Sequence, residues 1–178
     1  TKEEEKGYYY GISNQTFWPL CHITFTPPDF DAKNWEIYKK VNERFTDVVL
    51  EEIGDRSAFV WIQDFHFALL AKLLKERRSD LKVAQFWHIP WPTPEVFRIC
   101  PWGEEILEGL FGNDLIGFHI QLHCDNFIGS VEQSLEVRCD RESSTIYHHG
   151  GVGTKVCAFP ISVDFDQINI DVKKDYSK

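Results

Sequence analysis

Apolar residues return at spacings of three and four between residues 33 and 53, at Trp35, Ile37, Tyr38, Val41, Phe45, Val48, Val49 and Ile53. That period predicts an amphipathic helix. Asp31 is placed to cap its start and Gly54 to end it. The pattern then changes. Ala58-Phe59-Val60-Trp61-Ile62 is a short apolar run of the kind that forms a buried strand. A second helix follows to about Arg78, carrying Phe67, Leu69, Leu70, Leu73 and Leu74, with Lys75, Arg77 and Arg78 in its last turns. Residues 83–87 read as the next strand. Pro90, Pro92 and Pro94 stop it, because each fixes φ and removes a backbone donor. Residues 94–99 give at most a short helical turn, residues 102–110 a helix stopped at Gly112-Asn113, and residues 115–118 a third strand. A third long helix is predicted over 122–137, and 145–147 with 155–159 read as a strand pair around His148-His149-Gly150-Gly151-Val152-Gly153. Ahead of all this, residues 8–22 are aromatic-rich with no clear period, which predicts one or two helical turns broken by Gly11 and Pro19. Thr26-Pro27-Pro28-Asp29 is a loop, and the tail from Gln167 alternates and then becomes charged.

Strand and helix therefore alternate, which is the pattern of βαβ units and a parallel sheet. The fold class expected is α/β, a Rossmann-like parallel sheet with flanking helices. Right-handed crossovers would put the three strand ends, at Asp64, His88 and His119, on one rim. In open sheets of this kind, ligands bind beyond the carboxyl ends of the strands.

Composition narrows the picture. The 178 residues suffice for one domain, and 43% hydrophobic with 15% aromatic content is too rich for disorder. A net charge of −9 argues against a nucleic-acid partner, which would want a basic face. No apolar run reaches the length of a membrane span, and no signal-peptide pattern opens the chain. The five cysteines are odd in number and form no Cys-x-x-Cys pair, so free thiols and a cytoplasmic location are expected. There is no methionine, even at position 1, so the chain is expected to be an excerpt of a longer protein.

Several side chains can carry chemistry. Asp64, just past a strand, can accept hydrogen bonds from sugar hydroxyls or act as a base, and it can equally cap the helix after it. His88, held where a strand meets a proline-stiffened loop, can donate to a ligand hydroxyl or phosphate, or bond a loop carbonyl. Tyr9 and Trp18 read first as core rings, with flat faces that would also suit a sugar. His119, His123 and Cys124 lack a third metal ligand at a recognisable spacing and read as ordinary strand-end and helix residues. Cys124 has no evident activating base. Gly150-Gly151-Val152-Gly153 opens no helix, so it is read as a hairpin turn and not a phosphate loop.

Val60-Trp61-Ile62-Gln63-Asp64-Phe65-His66, His88-Ile89-Pro90-Trp91-Pro92-Thr93-Pro94-Glu95-Val96-Phe97 and Asp114-Leu115-Ile116-Gly117-Phe118-His119 resemble three successive motifs of the trehalose-6-phosphate synthases, glycosyltransferase family 20. Ser13-Asn14 with Trp18-Pro19-Leu20-Cys21-His22 resembles a fourth, and Phe159-Pro160-Ile161-Ser162-Val163-Asp164 resembles the segment leading out of the N-terminal domain. Order and spacing agree from Tyr8 to Ile168.

The resemblance implies a two-domain GT-B enzyme. Residues 1–168 would be part of its N-terminal, acceptor-side domain, and 169–178 a tail or the start of the interdomain segment, with the C-terminal donor domain absent. The implied reaction moves glucose from UDP-glucose to glucose 6-phosphate with retention, giving α,α-trehalose 6-phosphate and UDP. No metal or other cofactor is implied, and the leaving phosphate helps deprotonate the acceptor on the front face. Alternatives are a glucosylglycerol-phosphate synthase with glycerol 3-phosphate as acceptor, and a non-catalytic regulatory subunit of a trehalose-synthesising complex. A homo-oligomer is left open.

Carried over by position, Tyr9 contacts the acceptor phosphate and Asp64 the acceptor hydroxyls. Trp18 walls the acceptor ring and helps select its anomer, His88 bonds the transferred glucose, and Ile89 shapes the same wall. In the family a glycine loop and an arginine lie upstream of these motifs, and basic donor-site residues lie in the C-terminal domain. The motifs here contain no lysine or arginine, so the excerpt alone is expected to be inactive.

Overall fold

The computed structural model describes residues 1–148, 153–165 and 169. Helix α1 (Lys2–Glu5) runs straight into a π-helix (Lys6–Phe17) and then α2 (Trp18–His22). The break expected at Gly11 and Pro19 is absent. Gly7 and Gly11 serve instead as a seam for α3 (Ala32–Ile53): a Cβ on Gly7 would lie 2.6 Å from Ile37 Cδ1, and one on Gly11 2.6 Å from Asn34 Nδ2. The glycines let two helices approach closely. Pro19 falls at the junction where the winding changes from π to α.

Helix α3 follows its apolar period. The Asp31 carboxylate accepts from the backbone N–H groups of Lys33 and Asn34 at 2.7 and 3.2 Å, closing the start of the helix. The buried stripe includes Trp35, Tyr38 and Val41. Tyr38 donates its hydroxyl to the Phe65 carbonyl at 2.8 Å and accepts from the Ala68 N–H at 2.8 Å, tying α3 to the segment after the first strand.

The remaining elements are β1 (Phe59–Gln63), α4 (Leu70–Arg77), β2 (Lys82–Phe86), α5 (Pro94–Phe97), α6 (Gly103–Leu110), β3 (Leu115–Phe118), α7 (Gln121–Ser134), β4 (Arg138–Asp140), β5 (Thr145–Tyr147) and β6 (Gly153–Ala158). They build a six-stranded sheet in the order β1-β2-β3-β6-β5-β4. The first four are parallel neighbours, and β5 and β4 add an antiparallel edge. The fold is thus α/β with a Rossmann-like parallel core, as the alternation of strand and helix implied. The third long helix is shorter than expected, ending at Ser134, because the chain leaves it to form β4 against β5. Of the expected turn between β5 and β6, residues 149–152 lie outside the described residues, as do residues 166–168 and 170–178 of the tail.

Each step from β1 to β2 to β3 to β6 moves the same way across the sheet. Right-handed crossovers then put the connecting helices on one face. Ile62, Val83, Ile116 and Val156 are buried on that face, under α4, α6 and α7. The opposite face corrects the expectation of a buried first strand: Phe59 and Trp61 are 66% and 65% exposed. Among the described residues β1 lies at the end of the strand order and is covered on one side. All five cysteines are free thiols. Among the described residues no helix is long and apolar enough to cross a membrane.

Candidate active site

Strand β1 hands its ladder to Asp64, whose N–H donates to the Phe86 carbonyl at 2.7 Å. The chain then turns sharply. Asp64 has φ 65° and ψ −174°, a region that almost only glycine enters. Holding a carboxylate-bearing residue there costs about 1–3 kcal/mol, so the surroundings must fix it. They do so twice. Asp64 Oδ1 accepts from the Phe65 N–H at 2.9 Å and from the His88 N–H at 3.1 Å. From behind, the buried Gln85 side chain donates to the Asp64 carbonyl at 3.0 Å.

The two readings of Asp64 are therefore not rivals. Oδ1 caps the turn Phe65–Phe67, and among the described residues Oδ2 has no hydrogen-bond partner. One oxygen holds the structure and the other faces outward.

His88 follows the same logic. Trp87 before it and Ile89 after it are buried, so the His88 backbone is pinned between two core anchors and its ring is left exposed. Its Nε2 lies 2.7 Å from Gln63 Oε1 at the end of β1. The His119 ring at the end of β3 stands edge-on at 5.6 Å between centroids. Asp64, His88 and His119 thus share one rim at the carboxyl ends of three neighbouring strands.

Tyr9 and Trp18 are not core residues; they are 44% and 47% exposed. The Tyr9 ring stacks on His66 at 5.8 Å and 13°. His66 in turn stacks on Phe65 at 4.3 Å, and Phe65 meets Trp18 at 6.5 Å. The Trp18 ring lies over His22 at 4.0 Å. A row of aromatic contacts therefore joins Tyr9 and Trp18 to the residues just after Asp64. Burial lowers the His66 pKa, against a smaller upward pull from Asp64, which keeps this ring toward its neutral form. Ile89 is placed differently from the other candidates: at 5% exposure it lies in the core beneath the rim, with Trp87 and Trp91.

Two residues gain importance that the pattern of the sequence did not give them. Gln63 contacts the His88 ring, and His66 supports Tyr9. Their signal was position, since both flank Asp64 at the end of a strand. Among the described residues no group of three His, Cys, Asp or Glu side chains is arranged to hold a metal ion.

The sequence matches the model of glycosyltransferase family 20 over residues 1–177. A trehalose-6-phosphate synthase of Mycobacterium sp. (strain KMS) is 38% identical over 168 residues, 91% of this chain. The chain spans only about a third of that relative, 34% of its length. A solved structure of an E. coli protein of trehalose-6-phosphate synthesis bound with UDP-2-fluoro glucose superposes with a TM-score of 0.86 at 27% identity, covering 94% of this chain and 37% of that one. The UDP-forming α,α-trehalose-phosphate synthase of Burkholderia xenovorans in complex with glucose-6-phosphate gives 0.85 at 27% identity, covering 97% and 39%.

Proposed function

The chain belongs to glycosyltransferase family 20, and from that premise we propose that it is the acceptor-side part of a UDP-forming α,α-trehalose-phosphate synthase. The full-length enzyme would move glucose from UDP-glucose to glucose 6-phosphate. The observation that carries the reading is the doubly anchored Asp64, whose Oδ1 is spent on the Phe65 and His88 N–H groups while Oδ2 is left for a ligand hydroxyl. It is supported by the relatives bound with UDP-2-fluoro glucose and with glucose-6-phosphate.

In this reading Asp64 Oδ2 accepts from acceptor hydroxyls. Tyr9 offers its hydroxyl to the acceptor phosphate from a ring already stacked on His66. Trp18 walls the acceptor ring with an exposed face and so discriminates between anomers. His88 bonds the glucose being transferred. Ile89 acts from below, by fixing the height of the His88 backbone from its core position. Rigid placement of such groups is the part of transferase catalysis a protein wall can supply.

Residues 1–168 then form part of the first of two domains, and the second supplies the donor side. The 178-residue chain alone has no transferase activity in this proposal. The test is product analysis with the full-length protein, UDP-glucose, and either glucose 6-phosphate or glycerol 3-phosphate. Trehalose 6-phosphate only with the first acceptor supports the reading; turnover only with glycerol 3-phosphate replaces the acceptor; no turnover with either sinks it. In the same assay His88→Ala lowers kcat/KM by about a hundredfold, the scale for losing one positioned polar group, with the thermal midpoint unchanged.

A further inference from the structure

Gln63 is the last residue of β1 and pairs in register with Phe86. Strand alternation puts it on the side of Phe59 and Trp61, away from the buried Ile62. From there its amide reaches forward to the one feature of His88 that the backbone leaves undetermined. The His88 N–H is fixed by Asp64 Oδ1, and the flanking Trp87 and Ile89 are buried. The χ angles of the imidazole are not set by any of these. Among the described residues the ring's one hydrogen bond is Gln63 Oε1 to His88 Nε2, at 2.7 Å, beside ring contacts with Phe86 at 4.7 Å and His119 at 5.6 Å that carry no hydrogen bond.

Resting on the function proposed above, we infer that Gln63 is a positioning residue that holds His88 as the Nε2–H tautomer, leaving Nδ1 as an acceptor for a hydroxyl of the transferred sugar. Imidazole has two distinct nitrogens, and the hydrogen bond made by one decides the protonation of the other. An amide oxygen accepts a proton donor but carries no charge. It selects a tautomer while favouring the imidazolium far less than a carboxylate at the same place would. Among the described residues Nδ1 of His88 has no partner, so the acceptor lone pair stays open to a ligand.

The choice of an amide matters because of what else faces the ring. The Asp64 carboxylate comes in from the end of β1, bonded to the His88 main chain, and the His119 ring comes in from the end of β3. A second carboxylate in place of Gln63 would favour a doubly protonated His88, which has no acceptor left. His88 Nδ1 thus accepts a hydrogen bond from a sugar hydroxyl instead of donating one, which changes the role expected of it from the sequence.

The test uses the full-length protein and two independent readouts. The first is the tautomer itself, read from long-range proton–nitrogen spectra of histidine-labelled protein, with His88 assigned by its loss in His88→Ala. An Nε2–H form in the wild type that becomes a mixture in Gln63→Leu is the expected result. An Nδ1–H form in the wild type, or a Gln63→Leu spectrum identical to wild type, overturns the inference, whatever the substrate proves to be. The second is the pH profile of kcat/KM for UDP-glucose. Gln63→Leu is expected to lose about tenfold, within the cost of misplacing a positioned group at a reacting centre. Gln63→Glu is expected to move the acid limb upward by about one pH unit, the effect of an added carboxylate neighbour, and to recover at high pH. Unchanged profiles in both variants overturn the inference while leaving the transferase reading standing. Absence of wild-type turnover sinks the transferase reading and leaves the tautomer to be decided by the spectra.

Discussion

At the carboxyl ends of the parallel strands, Asp64, His88 and His119 stand among rings and peptide N–H groups, with no lysine or arginine in the motifs that form the rim. At the amino ends, just before β3, Asp114 sits among cations. Its Oδ2 accepts from the Val83 N–H at 2.8 Å and from Lys75 Nζ at 2.9 Å, and Lys82 Nζ lies 3.5 Å from Oδ1. Lys72 and Glu108 pair nearby at 2.9 Å. A cavity of about 580 Å³ opens here, with Lys75, Phe111, Asn113 and Asp114 in its lining.

The amino end offers a cavity, and chemistry selects the other end. The amino-end charges satisfy one another, which is what a group does when its task is to close a structure. The carboxyl-end groups are each held by one atom and left open by another: Asp64 by Oδ1, His88 by its N–H and Nε2. In the two-domain arrangement proposed above, a cleft would leave only a wall on this part of the protein, so the rim is judged by its polar atoms and not by its volume. What separates the two ends is the state of their polar atoms.

The comparison breaks if activity and stability do not separate along the sheet. The largest effect is expected at Asp64. Asp64→Asn keeps an Oδ1 acceptor for both N–H groups and removes the charge that faces outward. In the full-length enzyme it should cut kcat/KM for the acceptor about a hundredfold, roughly 2.7 kcal/mol at 1.36 kcal/mol per decade, with the melting temperature nearly unchanged. Asp64→Ala should be inactive and also less stable, by roughly 2–3 kcal/mol, because two N–H groups lose their acceptor while the backbone strain that Asp64 already bears stays unrelieved. Asp64→Gly separates these causes. It loses the same bonds but enters φ 65° freely, so it should melt above Asp64→Ala. If glycine and alanine melt alike, the strained turn is not what Asp64 holds.

Asp114 should behave in the opposite way. Asp114→Ala leaves the Val83 N–H without its acceptor and frees Lys75, which should cost about 2 kcal/mol of stability with kinetics unchanged. Burial, the largest single influence, pushes this carboxyl up; the Val83 N–H, Lys75 and Lys82 together outweigh it and leave the pKa below the ordinary value. A depressed carboxyl pKa stabilises the fold above the unfolded value, near 3.9, and that stability is lost as pH falls through the lower folded value. Urea titrations of wild type and Asp114→Ala should therefore differ at pH 7, and the gap should narrow progressively as pH falls below the unfolded value near 3.9. A gap that does not narrow at all on acidification would assign the effect to packing and not to charge.

The same contrast explains what could be read from the chain itself. Helix α3 was legible because its contacts repeat with the helical period, and Asp31 and Gly54 punctuate it locally. Asp64 and His88 were legible because a strand end is marked by where the apolar run stops and, for His88, by Pro90, Pro92 and Pro94. The unread parts depend on partners distant in sequence. Gly11 looks like a breaker until Asn34 is seen against it. Residues 138–140 become a strand only because β5 offers its edge. Tyr9 and Trp18 resemble core rings by type, and only the packing of the π-helix against α3 and Phe65 turns them outward. Gln63 carries no pattern at all; its meaning is the distance to a ring 25 residues away.

The smallest effect should come from Lys72, and it sharpens the distinction within the amino end. Lys72 bridges α4 and α6 through Glu108, but the two side chains are 42% and 50% exposed. Water and salt already screen such a pair, and ordering two long side chains offsets most of its attraction. Lys72→Ala should change stability by less than about 0.5 kcal/mol in chemical denaturation, and that small difference should vanish in 1 M salt. Asp114 differs because a backbone N–H depends on it, not because its ion pair is closer: both pairs span 2.9 Å. A loss above about 1 kcal/mol for Lys72→Ala would exceed what exposed pairs supply. It would mean that the amino end is held by charge as such, and that the orphaned N–H is the wrong reason for the cost at Asp114.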